Sequence, residues 1–228
     1  MRRLALIPAR GGSKRLPRKN IADFMGKPMI AWTIGAAKES GLFEKVVVST
    51  EDSEIAAIAK KYGAETAVRN PALATDKARV LDVCLDFLDQ DEKAGRACDV
   101  LCCLYATAPL RTAADIRAAS SLLNPGKCDF SLCATHYSLP PHQALRLGNN
   151  GAVTPMWPDL ISKRDEEVGE LVVDNGSTYF VSVLAFRKHK TFFGPNTWAH
   201  IMPRERSHDI NEPVDLEILK IFAAQAAA

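Results

Sequence analysis

The chain has 228 residues, 47% of them hydrophobic and 25% charged, enough to bury a full core as one globular domain with at most a small appended lobe. Its 29 Lys and Arg against 27 Asp and Glu leave a formal charge of +2, which excludes a protein that coats nucleic acid and leaves room for a local basic pocket. No apolar stretch approaches the roughly 20 residues of a membrane span, and the first one stops at Arg10, too short for a signal-peptide core.

Leu4–Pro8 reads as a short buried strand that runs into a Gly-Gly turn. Ile30–Lys38 has helical spacing, with Ile30, Ile34 and Ala37 on one side and Gly41 as its stop. Val46–Ser49 opens with three β-branched valines and reads as a buried strand. Ser53–Tyr62 follows as a helix ended by Gly63, and Ala64–Val68 as a short strand. Arg79–Leu88 is a third helix, with Val80, Val83, Cys84 and Phe87 as its stripe; Val100–Tyr105 is a third strong strand. Ala113–Leu123 is helical up to Asn124-Pro125-Gly126, and Phe130–Ala134 is a further strand. This alternation predicts an α/β fold with a mainly parallel sheet.

The pattern breaks over 138–174, where Pro140, Pro141, Gly148, Gly151, Pro155 and Pro158 favour short strands or a hairpin. The expected organisation is a main domain of 1–137 and 175–228 with 138–174 as an inserted arm, of the kind that packs on a second subunit in a homodimer. Thr178–Phe186 returns to a strand-like run, and Val214–Ala226 closes the chain as a helix with Pro213 in its first turn. Six cysteines without a C-x-x-C pair read as reduced core thiols of a cytoplasmic protein. His136, His142 and His208 are not at metal-ligand spacing, and no Ser-His-Asp or Cys-His set has an ordering signal.

The chemistry concentrates in the loop after the first strand. Arg10, Lys14, Arg15, Arg18 and Lys19 put five cations into ten residues, around Gly11, Gly12 and Ser13. The carboxyl end of a strand is where ligands bind in open α/β sheets. The two glycines let backbone N–H groups approach an anion. A triphosphate needs such neutralisation before a nucleophile can reach its α-phosphorus. The loop is neither a Walker A motif nor a dinucleotide G-x-G-x-x-G.

Ala9–Asn20 resembles the A-R-x-x-S-K-x-x-x-x-K-N signature of the sugar-acid cytidylyltransferases, the CMP-sialic acid synthetases and their relatives. Val46–Thr50, Arg69–Asp76, Tyr105–Arg111, Asn175-Gly176 and Asp209-Ile210 resemble the family's later motifs in the same order. Cys102–Pro109 resembles the pseudaminic acid subgroup, whose D-A-G-Q-F-Y-W stretch is replaced here by Asp174–Phe180. The resemblance implies a three-layer, Rossmann-like nucleotidyltransferase fold. It implies transfer of CMP from CTP to the anomeric hydroxyl of a nine-carbon sugar acid, with pyrophosphate released and Mg2+ as cofactor, and with no nucleic-acid or membrane partner. Pseudaminic acid or a close relative is the expected acceptor. N-acetylneuraminic acid, legionaminic acid, another sugar, or a catalytically impaired nucleotide-sugar-binding module are the alternatives.

The resemblance also implies roles. Arg10 and Lys14 would hold the β- and γ-phosphates, and Lys19 the α-phosphate, beside Asn20. Gly11, Gly12 and Ser13 would add hydrogen bonds; Arg69 and Thr75-Asp76 would line the nucleotide side; Tyr105 and Thr107 would shape the pocket. Gln143 and Tyr179 would meet the acceptor's hydroxyl or acyl groups, and Arg146, Lys163 or Arg164 its carboxylate. Asp209 and Asn211 would bind metal, although the family pattern there is Asp-Ile-Asp and this chain carries Asn211 in place of the second acid.

Overall fold

The computed structural model describes residues 1–226. In chain order, β1 (Arg3–Pro8) is followed by a small hairpin of β2 (Asp23–Phe24) and β3 (Lys27–Pro28), then by α1 (Met29–Glu39), β4 (Lys45–Thr50), α2 (Ser53–Lys61) and β5 (Glu65–Val68). Next come α3 (Val80–Lys93), β6 (Val100–Leu104), α4 (Ala113–Leu122) and β7 (Phe130–His136). The remainder holds β8 (Leu145–Leu147), β9 (Val153–Pro155), α5 (Asp165–Val168), β10 (Val172–Ser182), α6 (Val183–His189), β11 (Thr197–Ile201) and α7 (Pro213–Ala226).

Strands whose residues are apolar at every position need cover on both faces. Leu4–Ile7 and Val100–Leu104 are buried throughout, and β1 and β6 lie mid-sheet in the order β11-β7-β10-β6-β1-β4-β5. Helices α1, α2 and α4 cover one face through Ile30, Ile34, Ile55 and Ile116. Helices α3 and α6 cover the other through Cys84, Phe87 and Phe186. The result is three layers. Within this seven-stranded sheet all pairings are parallel except those of β10, which runs antiparallel to both β6 and β7. Two helix starts are well sealed. Asp52 caps α2 by accepting from the Glu54 and Ile55 N–H groups, and Thr112 and Asp115 form a capping box on α4.

The C-terminal third departs from the sequence reading in three ways. The run expected as one strand over Thr178–Phe186 is divided: β10 starts earlier, at Val172, and Val183–Phe186 belongs to α6. Val172–Asp174, assigned from sequence to the insertion, pair with Ala134–His136 of β7. A polar bulge over Asp174–Tyr179 interrupts the pairing, and a continuous apolar run does not distinguish strand from helix by period. An unanticipated edge strand, β11, pairs in parallel with β7. Between β7 and β10 the chain leaves the sheet and forms the β8–β9 hairpin and α5. All six cysteines are unpaired and buried, and burial pushes the Cys98 and Cys133 thiols up to about 11. Among the described residues no helix is long and apolar enough to cross a membrane.

Candidate active site

The order of the sheet reverses at β1, which has β4 on one side and the later β6 on the other. Such a switch point opens a crevice at the carboxyl ends of the strands. A cleft of about 200 Å³ lies there, with Pro8 and Arg10 from the end of β1 and Tyr105, Ala106 and Thr107 from the end of β6. Ser13, Lys14, Arg15, Lys19, Asn20, Arg69, Thr75 and Asn211 complete its polar lining.

The cationic loop is held by groups that sequence reasoning did not single out. The Gly11 N–H donates to Glu51 Oε1 at 2.8 Å, so that amide is engaged by a carboxylate in this structure. A Cβ on Gly11 would run into Asp52 Oδ2, so the close approach of the α2 cap favours glycine. Gly12 is exposed at the turn. Arg18 turns away from the cleft and pairs with Asp52 and Glu54. Buried Asn20 donates from Nδ2 to the Arg10 carbonyl at 2.9 Å, tying the two ends of the loop together.

Five cations remain in the cleft: Arg10, Lys14, Arg15, Lys19 and Arg69. Arg10 Nη1 and Lys14 Nζ each lie 2.5 Å from a different oxygen of Asp76, which stands at the rim. Arg69 is 5% exposed; its Nη2 donates to the Ser49 carbonyl, and its Nε has no hydrogen-bond partner among the described residues. Burial lowers the pKa of its guanidinium. A buried, incompletely satisfied cation is costly without an anion, so the residue suits a charged ligand. Lys19 donates from Nζ to the Ile210 carbonyl at 2.6 Å, and burial, only partly opposed by Asp209, lowers the pKa of its ammonium group.

Residues 209–211 lie outside helix and strand, and the Asp209 and Asn211 side chains meet across Ile210. Ile210 is fully buried against Phe24, Met29 and Leu219, and its N–H donates to the Thr107 carbonyl at 3.1 Å. Asp209 and Asn211 therefore stay together on the other side. Asp209 Oδ1 accepts from the Thr107 hydroxyl, and Oδ2 accepts from Asn211 Nδ2 at 3.0 Å. Burial pushes the Asp209 carboxyl up, against the opposing pull of Thr107, Lys19 and Asn211. Asn211 Oδ1 accepts from Arg15 Nη2 at 2.7 Å, so the amide links a cation to an anion. Asp215 accepts from the Asn211 and Glu212 N–H groups and acts as a turn and helix-start residue.

Among the described residues no cluster of three or more His, Cys, Asp or Glu side chains could hold a metal unaided. Asp209 is a single hard-oxygen group of the kind Mg2+ takes together with phosphate oxygens and water, whereas the Asn211 oxygen is engaged by Arg15 and its nitrogen faces Asp209.

The acceptor-side candidates are scattered. Tyr179 is 4% exposed; its hydroxyl donates to Asp174 Oδ2 at 2.7 Å, and its ring lies 5.4 Å from that of Tyr105 and 4.8 Å from that of Phe192. Tyr105 lines the cleft and Tyr179 stands behind it. Gly176, at φ +65°, turns the β10 bulge so that its α-carbon faces Asp209. Gln143, Arg146, Lys163 and Arg164 are exposed on the segment between β7 and β10 and do not line this cleft.

Residues 4–142 match the family described as cytidylyltransferase. The chain is 36% identical to the pseudaminic acid cytidylyltransferase of Campylobacter jejuni, over 97% of its own length and 96% of the relative's. It is 34% identical to the CMP-N,N'-diacetyllegionaminic acid synthase of Legionella pneumophila, over 94% and 93% of the two chains. Its fold superposes with a TM-score of 0.73, at 18% identity and over 99% of this chain and 100% of the other, on a CMP:2-keto-3-deoxy-manno-octonic acid synthetase solved with CTP.

Proposed function

The chain belongs to the cytidylyltransferase family and is a nucleotidyltransferase, and we propose that it transfers CMP from CTP to the anomeric hydroxyl of a nonulosonic acid, with pseudaminic acid or a close relative as acceptor. The observation that carries this reading is the convergence of Arg10, Lys14, Arg15, Lys19 and Arg69 on one cleft at the switch point of the sheet. The acceptor assignment is supported by the relative that shares 36% identity along nearly both full lengths.

In this reaction the anomeric oxygen attacks the α-phosphorus in line. The new O–P bond forms as the bond to the β-phosphate oxygen breaks, pyrophosphate departs, and the hydroxyl proton is released. Arg10 and Lys14 bind the β- and γ-phosphates, with Ser13 beside them. Lys19, held by the Ile210 carbonyl, stabilises the charge that grows on the α-phosphoryl oxygens. Asn20 keeps the loop closed around that point. Arg69 and Thr75 border the nucleotide, and Tyr105 and Thr107 form the floor on which base or sugar rests. Tyr179 positions the acceptor indirectly by backing Tyr105. Asp209, joined by the Asn211 side-chain oxygen if that amide gives up Arg15, would hold Mg2+, which when bound supplies positive charge to the phosphates.

The protein acts as a homodimer. This is supported by Leu139, Leu147, Val153 and Trp157, which leave a cluster of large apolar side chains exposed along the arm. The place of action is the cytoplasm, a setting supported by six buried free thiols.

A panel of sugar acids tested with CTP and Mg2+, scored by pyrophosphate release, examines this reading. Pseudaminic acid is expected to give the highest kcat/KM, above N-acetylneuraminic, diacetyllegionaminic and eight-carbon 2-keto acids. A higher value for one of those reassigns the acceptor, and no release with any of them overturns the activity.

A further inference from the structure

Arg10 and Lys14 are the two cations placed on the outer phosphates, and both are already bound to one carboxylate. Asp76 offers Oδ1 to Arg10 and Oδ2 to Lys14, each at 2.5 Å. The bonds to Lys14 and Arg10 hold the Asp76 carboxyl below its ordinary range, so it stays ionised throughout the neutral region. A bridging carboxylate presents two anionic oxygens to two cations, which is also the geometry of a phosphate group. A triphosphate that takes both cations must displace Asp76 from them.

We propose that Asp76 competes with the polyphosphate for Arg10 and Lys14, weakening the grip on the outer phosphates and easing the departure of pyrophosphate. The inference rests on the reading of the cleft as a triphosphate site. It assigns Asp76 to the cations of the site; no contact with the ligand is needed. The competition is uniform for CTP and pyrophosphate, because both need the same two side chains. CMP lacks the outer phosphates and leaves the Asp76 bridge in place. Thr75–Ala78 form a single turn at the rim, closed by the Ala78 N–H on the Thr75 carbonyl at 3.2 Å, so the carboxylate stands on a surface loop beside the opening.

Magnitude follows from exposure. The side chains of Arg10, Asp76 and Lys14 are 29%, 37% and 82% exposed, so solvent screens the pairs heavily. Partly exposed pairs of this kind correspond to about a threefold to tenfold change in affinity.

The test is calorimetric titration of the full chain with inorganic tripolyphosphate, pyrophosphate and CMP, comparing wild type with Asp76→Asn. The substitution keeps the shape and removes the charge, and an exposed loop residue of this kind should not disturb folding. Tripolyphosphate and pyrophosphate are expected to bind about threefold to tenfold more tightly in the variant, with the CMP dissociation constant unmoved. In a Lys14→Met background the same substitution should yield a smaller gain, since one of the two contested cations is gone. Weaker or unchanged polyphosphate binding in Asp76→Asn would overturn the proposal, because Asp76 would then organise the cations or be idle. Equal tightening of CMP would also overturn it, by reducing the effect to long-range charge. No acceptor takes part in these titrations. If neither polyphosphate binds wild type or variant, the triphosphate reading itself fails; if they bind and Asp76→Asn changes nothing, only the competition fails.

Discussion

Replacing Lys19 by Met keeps the aliphatic stem and removes the charge. Two consequences can be separated. The first is structural. Lys19 Nζ donates to the Ile210 carbonyl at 2.6 Å, and losing one such bond costs about 1–2 kcal/mol, offset in part because a half-buried charge no longer has to be desolvated. For a chain of this size that is a shift of only a few degrees in Tm, at about 2–4 °C per kcal/mol, so the variant should remain folded at 25 °C. The second is catalytic. Removing one preorganised donor from a developing oxyanion typically lowers kcat about 100- to 1,000-fold. Turnover measured by pyrophosphate release should fall by that factor, while the Kd for CTP from calorimetry changes far less. That split is the mark of an interaction made mainly in the transition state. An unchanged kcat, or a loss of CTP affinity that matches the whole loss in kcat/KM, would refute the role given to Lys19.

Burial lowers the Lys19 pKa, so its proton leaves earlier than an ordinary lysine's as pH rises, and kcat/KM should fall on an alkaline limb. Lys19→Arg should move that limb to higher pH, and a limb that stays in place would assign it to another group. Burial alone would raise the Asp115 carboxyl, but Arg206, Thr112 and His200 together hold it at about 2, below the ordinary 3.8. The contribution, about 2 kcal/mol, is therefore present above pH 4 and lost as pH falls toward 2. Urea unfolding across that window should show this slope in the wild type and lose it in Asp115→Asn, which should also be less stable at pH 7; parallel curves would contradict the assignment. Gly11→Ala drives a methyl into Asp52 Oδ2, whose partner oxygen caps α2, and should cost about 1–2 kcal/mol in thermal unfolding; an unchanged Tm would mean that the cap moves freely. Asn211→Asp loses the donation to Asp209 and sets two carboxylates together, so it should melt lower than wild type in chelator and gain more Tm from added Mg2+. An equal Mg2+ response in both would place residue 211 away from the metal.

Much of this was legible because burial on both faces leaves a strong mark. Leu4–Pro8, Val46–Ser49 and Val100–Tyr105 are apolar at nearly every position, and they became β1, β4 and β6 with ends shifted by at most one residue. The cationic loop was legible because five charges cannot be spent on a core. Thr197–Ile201 was not legible: it is an edge strand, Trp198 and Ile201 are exposed, and a half-solvated run carries no clear period. Pairings across the chain were equally hidden. Arg18 counts among the five cations of the loop, but Asp52 and Glu54, more than thirty residues on, hold it away from the cleft. Glu51 on Gly11 and Asp76 on Arg10 and Lys14 arise only when the ends of β1, β4 and β5 meet at one edge of the sheet.

The most direct measurement is a crystal structure of the protein with CTP bound. The triphosphate should lie on Arg10, Ser13 and Lys14, with its α-phosphate beside Lys19 and Asp76 released from its two partners. CTP bound elsewhere, with the loop facing open solvent and the Asp76 bridge intact, would contradict the assignment of this cleft.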